Sequence, residues 1–309
     1  MAFKAVQLIE IDAEDDGQRI DNFLFRLLKG VPKSRVYRIL RKGEVRINGR
    51  RARPSQKLQA GDQVRVPPIR QGEPADAEGP SFDTMERVEK SIIYEDNEML
   101  VLNKPAGIAV HGGSGISAGV IETLRKLRPI EKRLELVHRL DRGTSGCLMV
   151  ARKRSALRRL QAALREKVGI RKTYEAVVHG EWSAARTLIT LPLMQVTTEG
   201  GGKISRVDER GKEAETRFQL LAATPAFSHI EAQPVTGRTH QIRVHCATSG
   251  HPIAGDDKYD GGCAGALGDR LMLHASRLSF VDANGVTREV EAQPDEEFEE
   301  LKRLYLTKK

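Results

Sequence analysis

Asp141 stands between two arginines, Arg139 and Arg142, in a short stretch of the chain that could carry chemistry. The neighbouring guanidinium groups would keep its carboxylate ionised, and the Gly-Thr-Ser-Gly sequence of residues 143–146 favours a sharp turn that would present it at the tip of a loop. An exposed, ionised carboxylate on a rigid support can act as a nucleophile. The alternative is an ion pair that only stabilises the turn, and for an Arg-x-Asp-Arg sequence taken alone that alternative is the more common one.

Two elements after this turn would have to hold it in place. The apolar run at residues 147–151 predicts a buried strand directly behind the loop. A helix should follow it, capped by Ser155 and ending at Gly169. Its apolar face is predicted to consist of Leu157, Leu160, Leu164 and Val168. A further helix around residues 120–126 should precede the loop.

Tyr174 lies in an alternating run, residues 171–178, that is typical of a strand. Lys172 and Tyr174 are two positions apart, so their side chains should lie on one face of that strand. The tyrosine could line a cleft, or it could be half-buried packing in a sheet.

Residues 237–245 read Gly-Arg-Thr-His-Gln-Ile-Arg-Val-His and suggest an anion site or a metal site. The metal interpretation is weak, because His240 and His245 are five positions apart, no acidic residue is near, and the arginines would repel a cation. We therefore expect no metal here. Arg243 is better explained as the partner of a buried carboxylate, since its planar guanidinium suits that contact.

Residues 138–146, His-Arg-Leu-Asp-Arg-Gly-Thr-Ser-Gly, resemble the signature of the RluA-type pseudouridine synthases. The Lys-x-Tyr motif and the block that contains Arg243 match further motifs of that family. The resemblance implies that Asp141 is the catalytic residue and that Arg139 enters the RNA helix beside a flipped base. It also implies that Tyr174 stacks against this base, with a candidate role in a late proton transfer, and that Arg243 forms a salt bridge with Asp141.

A last block, Arg-Leu-Met-Leu-His-Ala at residues 270–275, resembles the family segment whose apolar side chains shape the uridine pocket, which would place Leu271 or Leu273 there. The fold that the resemblance implies is α+β, with a mixed, largely antiparallel central sheet and a catalytic cleft. Uridine isomerisation changes no oxidation state, so we expect no cofactor. Whether Asp141 would attack C1′ or remove the C2′ proton is open.

The positive charge of the chain is concentrated near its start. Between Gly17 and Val66 there are 14 Lys and Arg against 3 acidic residues, whereas the whole chain carries +9. Clustered cations of this kind are typical of polyanion-binding modules. The periodicity predicts an amphipathic helix over 18–28, a second helix between Pro32 and Gly43, and a hairpin with an Asn-Gly turn at 48–49.

This helix–helix–hairpin pattern resembles an S4 RNA-binding domain over residues 17–66. The motifs that carry the resemblance are Arg-Ile-Asp-Asn-Phe-Leu and Gly-Glu-Val-Arg-Ile-Asn-Gly. It implies recognition of folded RNA through its shape and phosphates. The cations that we expect to bind RNA are Lys33, Arg35, Arg38, Arg41, Lys42, Arg50 and Arg51.

We expect three parts in the chain: an S4-like domain over residues 1–67, a flexible Pro-, Gly- and acid-rich linker over 68–84, and a catalytic domain over 85–309. No apolar run is long enough to span a membrane, and Cys147, Cys246 and Cys263 form no Cys-x-x-Cys motif. We interpret the three cysteines as small buried residues in a soluble, cytoplasmic, monomeric protein.

The order of the motifs, with the S4-like module in front, most resembles the branch of the family that modifies uridines of large-subunit (23S) ribosomal RNA. That RNA is the expected partner. One alternative is an RNA hydrolase that uses His138 or His240 with Asp141. Another is a non-catalytic RNA-binding factor in ribosome assembly, which loss of the Asp, Tyr or Arg would favour, and all three are present.

Overall fold

The computed structural model describes residues 5–28, 30–69, 79–113, 118–198, 202–261 and 267–307. Most of the expected linker and Cys263 lie outside these ranges. The chain divides into two compact units, Met1–Glu78 and Gly79–Lys309, which are called the N-terminal and the C-terminal unit below.

The N-terminal unit packs two helices on a four-stranded antiparallel sheet, with the strands in the order β1-β4-β2-β3. The helices are α1 (Ile20–Leu27) and α2 (Lys33–Arg41), and the strands are β1 (Gln7–Glu10), β2 (Arg46–Ile47), β3 (Arg50–Arg51) and β4 (Gln63–Val66). Both expected helices are present, and α1 begins two residues later than its apolar pattern suggested. Strand β1 was not predicted.

The turn between β2 and β3 is the expected tight hairpin. Asn48 and Gly49 both have positive φ angles, 48° and 77°, as the favoured two-residue turn requires. The side chain of Asn48 also fixes the hairpin to β4, because its Oδ1 accepts the Gln63 N–H at 2.8 Å and its Nδ2 donates to Asp62 at 2.7 Å.

The C-terminal unit contains helices and strands around one large sheet. The helices are α3 (Phe82–Lys90), α4 (Val120–Leu127), α5 (Arg154–Glu166), α6 (Gln241–Thr248) and α7 (Glu296–Thr307). The strands are β5 (Ile92–Glu95), β6 (Met99–Lys104), β7 (Glu135–Leu136), β8 (Ser145–Ala151), β9 (Ile170–His179), β10 (Leu188–Thr190), β11 (Leu193–Thr197), β12 (Lys203–Val207), β13 (Glu215–Ala223), β14 (Phe227–Pro234), β15 (Leu273–Val281) and β16 (Thr287–Glu291).

The large sheet runs β10-β13-β14-β9-β15-β8-β6-β5, with β16 paired to β15 and β7 to β8, while β11 and β12 form a separate hairpin. The β15–β8 pairing is parallel, and the other pairings between the described strands are antiparallel. The expected mixed, largely antiparallel α+β fold is therefore confirmed. All seven residues of β8, the predicted buried strand, are buried.

Two local expectations differ from the structure. Helix α3 begins at Phe82, capped by Ser81, so its first turn occupies residues that we had assigned to the linker. Helix α5 is capped at Lys153 rather than Ser155, and Lys167 ends it in a left-handed conformation. That turn takes Val168 off the apolar face, where it is 67% exposed instead of packed in the core. No helix in the described ranges is both long and apolar enough to cross a membrane.

Candidate active site

The loop that carries Asp141 lies between β7 and β8 and is fixed by contacts to the turn after β6. The Arg142 carbonyl accepts the Gly107 N–H at 2.9 Å and the Lys104 ammonium at 3.3 Å, and Arg142 Nε donates to the Gly107 carbonyl at 2.9 Å. The Asp141 side chain stays 28% exposed. The expected arrangement of an accessible carboxylate on a rigid support is therefore present.

Gly146 lets β8 approach β15 directly behind this loop. Its φ is +103°, and a Cβ at this position would lie 2.3 Å from the Ala275 carbonyl oxygen. Only glycine fits such an approach. Gly143, which we also expected to give the turn its freedom, has no positive φ. A Cβ there would lie 3.2 Å from Leu271.

Arg243 on α6 contacts Asp141, with 3.4 Å between Nη1 and Oδ2. Its closer partner is Asp256, which receives two hydrogen bonds, from Nη2 to Oδ1 at 2.5 Å and from Nε to Oδ2 at 2.7 Å. Asp257 lies 3.0 Å from the same Nη2. Burial acts to lower the pKa of Arg243, but the hydrogen bonds and charge of Asp256, with the charges of Asp141 and Asp257, raise it above its usual value.

The contact between Arg243 and Asp141 is the one that the family resemblance implied. Asp256 was not predicted from the sequence; it is completely buried and also accepts the N–H groups of Lys258 and Tyr259. The only signal in the sequence was the acidic pair at residues 256–257, and nothing there linked it to Arg243.

His240 approaches Asp141 from the start of α6. Its Nε2 lies 3.8 Å from Asp141 Oδ1, and its Nδ1 lies 2.6 Å from the Tyr259 hydroxyl. Burial lowers the pKa of His240 below its usual value, with the charge of Asp141 opposing this shift. Burial therefore favours the neutral imidazole. The Tyr259 ring also lies under the Arg243 guanidinium, 5.2 Å from its centre.

Tyr174 on β9 is 7% exposed and contributes to the same cavity as Asp141. Burial, followed by the nearby charge of Asp141, raises the pKa of Tyr174 well above its usual value. The phenol therefore keeps its proton at neutral pH.

Lys104 was not predicted as a site residue from the sequence. It is completely buried, and burial lowers its pKa to about 7.

Asp141 opens onto a cavity of about 1430 Å³. Asp141, Arg139, Tyr174, Arg243 and Leu273 all contribute to its lining, whereas Leu271 does not. Arg139 is exposed, as an RNA contact requires. Further exposed cations also line the cavity: Arg165, Lys167, Arg171, Lys203, Arg217 and Arg238.

The expected RNA-binding cations of the N-terminal unit are all exposed: Lys33, Arg35, Arg38, Arg41, Lys42, Arg50 and Arg51. Those on α2 are exposed because the apolar residues of this helix, such as Val36 and Ile39, are buried in the core of this unit. In the described ranges, no three His, Cys, Asp or Glu side chains are grouped so that they could hold a metal ion.

Comparison with known proteins agrees with this geometry. The model of the RNA pseudouridylate synthase family matches residues 98–248, and the S4 domain model matches residues 18–64. The chain belongs to the RNA pseudouridylate synthase family. It is 50% identical over 301 residues to the ribosomal large subunit pseudouridine synthase C of Escherichia coli K12, covering 94% of both chains. The protein of that name from Pasteurella multocida is 50% identical over 305 residues, covering 96% of this chain and 93% of its relative.

Solved structures show the same fold. Human RNA pseudouridylate synthase domain containing 1 matches with a TM-score of 0.54 and 30% identity, covering 66% of this chain and 83% of the human one. Human RNA pseudouridylate synthase domain containing 4 matches with a TM-score of 0.58 and 24% identity, covering 71% and 95% of the two chains.

Proposed function

We propose that this protein isomerises uridine to pseudouridine in large-subunit ribosomal RNA, with Asp141 as the catalytic carboxylate. The observation that carries the proposal is the position of Asp141, which lies in a cavity beside Tyr174 and is held by Arg243 at 3.4 Å. The relatives with half of their residues identical are named as large-subunit synthases, which supports the choice of RNA.

The reaction breaks the N1–C1′ bond of uridine, turns the base, and joins C5 to C1′. The C5 proton leaves and N1 gains a proton, so the product is an isomer and no electrons are exchanged. Asp141 would act on the ribose, either by attack on C1′ or by removal of the C2′ proton. Both routes need a carboxylate in a fixed position, and the Arg243 guanidinium contacts it.

The target nucleotide has to leave its stack before Asp141 can reach it. Arg139 is exposed on the lining of the cavity, which supports a role in filling the gap that the flipped nucleotide would leave. Tyr174 would form one side of the base site as a neutral phenol. Leu273 supplies apolar surface in the same cavity.

We assign RNA affinity to two sets of cations. The first is the exposed set on residues 1–67, which we propose as the RNA-binding domain, and the second lines the cavity of the catalytic domain, residues 85–309. Cation–phosphate contacts supply affinity with little base selectivity. We further propose that the protein acts as a cytoplasmic monomer without a cofactor.

The proposal is tested by incubating the purified chain with protein-free large-subunit ribosomal RNA and mapping pseudouridine by chemical derivatisation and primer extension. Wild-type protein should modify discrete uridines, and Asp141→Asn should lower the rate by about three orders of magnitude or more while RNA binding is retained. Asp83→Asn, which alters an exposed carboxylate on α3, is the control and should match wild type. Turnover by Asp141→Asn within about tenfold of wild type would contradict the assignment.

A further inference from the structure

His240 has an unusual backbone conformation for its position. Its φ and ψ angles are 54° and 23°, the left-handed region, in which histidine is uncommon although less rare than most residues. It is the residue that precedes α6, yet its side chain makes no capping hydrogen bond to that helix. The imidazole instead extends toward Asp141, and its side chain is only 8% exposed. Such local strain is found most often where a side chain must be aimed at a functional group.

The hydrogen bonds of Tyr259 favour one tautomer of His240. The Tyr259 oxygen accepts the backbone N–H of Ser205 at 2.8 Å. Among the described residues, the acceptor within reach of its own proton is His240 Nδ1, at 2.6 Å. A neutral imidazole that accepts at Nδ1 is protonated at Nε2, the atom that faces Asp141 Oδ1 at 3.8 Å.

We propose that His240, oriented by Tyr259, is a positioning residue that donates Nε2–H to Asp141 while RNA is bound. This inference rests on the proposed function of Asp141. The torsion that turns an aspartate carboxylate is broad, so the rotamer of Asp141 alone does not fix its plane. With Arg243 at Oδ2 and His240 donating to Oδ1 in the RNA complex, both oxygens would be held, and the carboxylate would keep a constant orientation toward the ribose.

The present separation of 3.8 Å is longer than a hydrogen bond. Catalytic hydrogen bonds are often long in the free enzyme and shorten in the complex with substrate. Ser205, which holds Tyr259, belongs to β12, and Lys203 on the same strand lines the cavity. RNA bound in the cavity next to Lys203 would therefore contact β12, the strand whose Ser205 holds Tyr259.

The test compares His240→Asn with His240→Gln. Asparagine tolerates the left-handed backbone and can accept the Tyr259 proton, but it is too short to reach Asp141. Glutamine places an amide N–H near the position of Nε2. We expect His240→Asn to lower kcat about tenfold or more with unchanged RNA affinity, and His240→Gln to recover most of the wild-type rate. Tyr259→Phe should lower kcat by less, because the imidazole loses its orientation but stays in place.

A purely structural role predicts a different pattern. His245→Asn, a change at a buried histidine of the same helix that bonds to Thr216, serves as the control and should lower the melting temperature without changing kcat of the folded protein. If His240→Asn behaves in the same way, or weakens RNA binding as much as it lowers kcat, the inference is wrong.

A second readout does not depend on activity. Nuclear magnetic resonance of isotope-labelled histidine, assigned by comparison with His240→Asn, should show His240 as the Nε2–H tautomer at neutral pH. An Nδ1–H tautomer would overturn the inference. If wild-type protein forms no pseudouridine, the proposed function fails, and the tautomer still decides the orientation of His240. If wild type is active, Asp141→Asn is inactive and His240→Asn equals wild type, only this inference fails.

Discussion

Arg243 and Asp256 form a buried ion pair with two hydrogen bonds, at 2.5 and 2.7 Å, and this pair holds the guanidinium that faces Asp141 at 3.4 Å. Arg243 therefore carries out two tasks with different groups of one side chain. Nε and Nη2 bind Asp256, and Nη1 is left for Asp141. Because the contact with Asp256 is the shorter one, the position of Arg243 does not depend on Asp141.

Replacing Asp256 with Asn should lower the free energy of unfolding of the C-terminal unit by about 3 to 5 kcal/mol, because the buried guanidinium loses its main partner. Asp257→Asn is the matched control. Its carboxylate lies 3.0 Å from the same nitrogen but is 77% exposed, so the expected cost is about 0 to 1 kcal/mol. Urea unfolding followed by the fluorescence of Trp182, the single tryptophan, measures both. Equal destabilisation of the two variants would show that the buried Asp256 pair contributes no more to the free energy of unfolding than the exposed Asp257 contact.

Tyr174→Phe separates stacking from proton transfer. The ring is retained, so RNA affinity should match wild type, whereas the loss of the hydroxyl should lower kcat about tenfold or more if the phenol takes part in a proton transfer. Single-turnover rates and RNA binding, measured separately, give the two quantities. A variant with the kcat of wild type would restrict Tyr174 to packing against the base, and Tyr174→Ala should then lower affinity and rate together.

Lys104 should make stability depend on pH. Its pKa is about 7 in the folded protein, against 10.5 for an exposed lysine, because burial disfavours the ammonium. Between these values the unfolded chain binds a proton that the folded chain lacks, so stability rises with pH, by up to about 1.4 kcal/mol per pH unit.

In Lys104→Met that contribution is absent. The unfolding free energy of the variant should therefore rise less steeply between about pH 7 and pH 9 than that of wild type. Lys90→Met, at an exposed lysine of α3, should leave the slope unchanged. Parallel slopes for wild type and Lys104→Met would mean that Lys104 stays charged in the folded state.

The exposed arginines of α2 should bind phosphates. Replacing Arg35 and Arg38 with Ala should weaken RNA binding and reduce the slope of log affinity against log salt by about one for each phosphate that the variant no longer neutralises. The rate of isomerisation at saturating RNA should not change. The control is the double change Arg87→Ala and Lys90→Ala on α3, where both charges already face carboxylates. An unaltered salt slope in the α2 variant would remove this helix from the RNA interface.

Local sequence signals determined much of this protein. The Asn-Gly turn at residues 48–49 requires two positive φ angles and forms the expected hairpin. The apolar run behind Asp141 forms the buried strand β8, and the spacing of the cations on α2 places them on its exposed face. Each of these features depends on residues that are close together in the sequence. Over such short distances, hydrophobic periodicity and the conformational preferences of turn residues determine the local structure.

Helix α5 is present with Leu157, Leu160 and Leu164 toward the core, but its predicted end was wrong because of a local detail that apolar spacing cannot show. The pattern continued through Val168, but the left-handed conformation of Lys167 ended the helix first. The sequence also could not predict which of the two leucines lines the cavity. Leu271 and Leu273 are two positions apart, and only Leu273 lines it.

Tertiary structure alone decided which groups surround Asp141. Arg243 is 102 positions away in the chain, and the resemblance to a family, rather than periodicity, suggested their contact. Asp256, Tyr259 and Lys104 gave no signal, because nothing in the residues near them in sequence states which partner the fold will bring. A buried charge is stable only with partners that other strands and helices supply. The sequence thus defines the chemical groups and their local supports, while the packing of α6 and the strands around the cavity sets the distances between them.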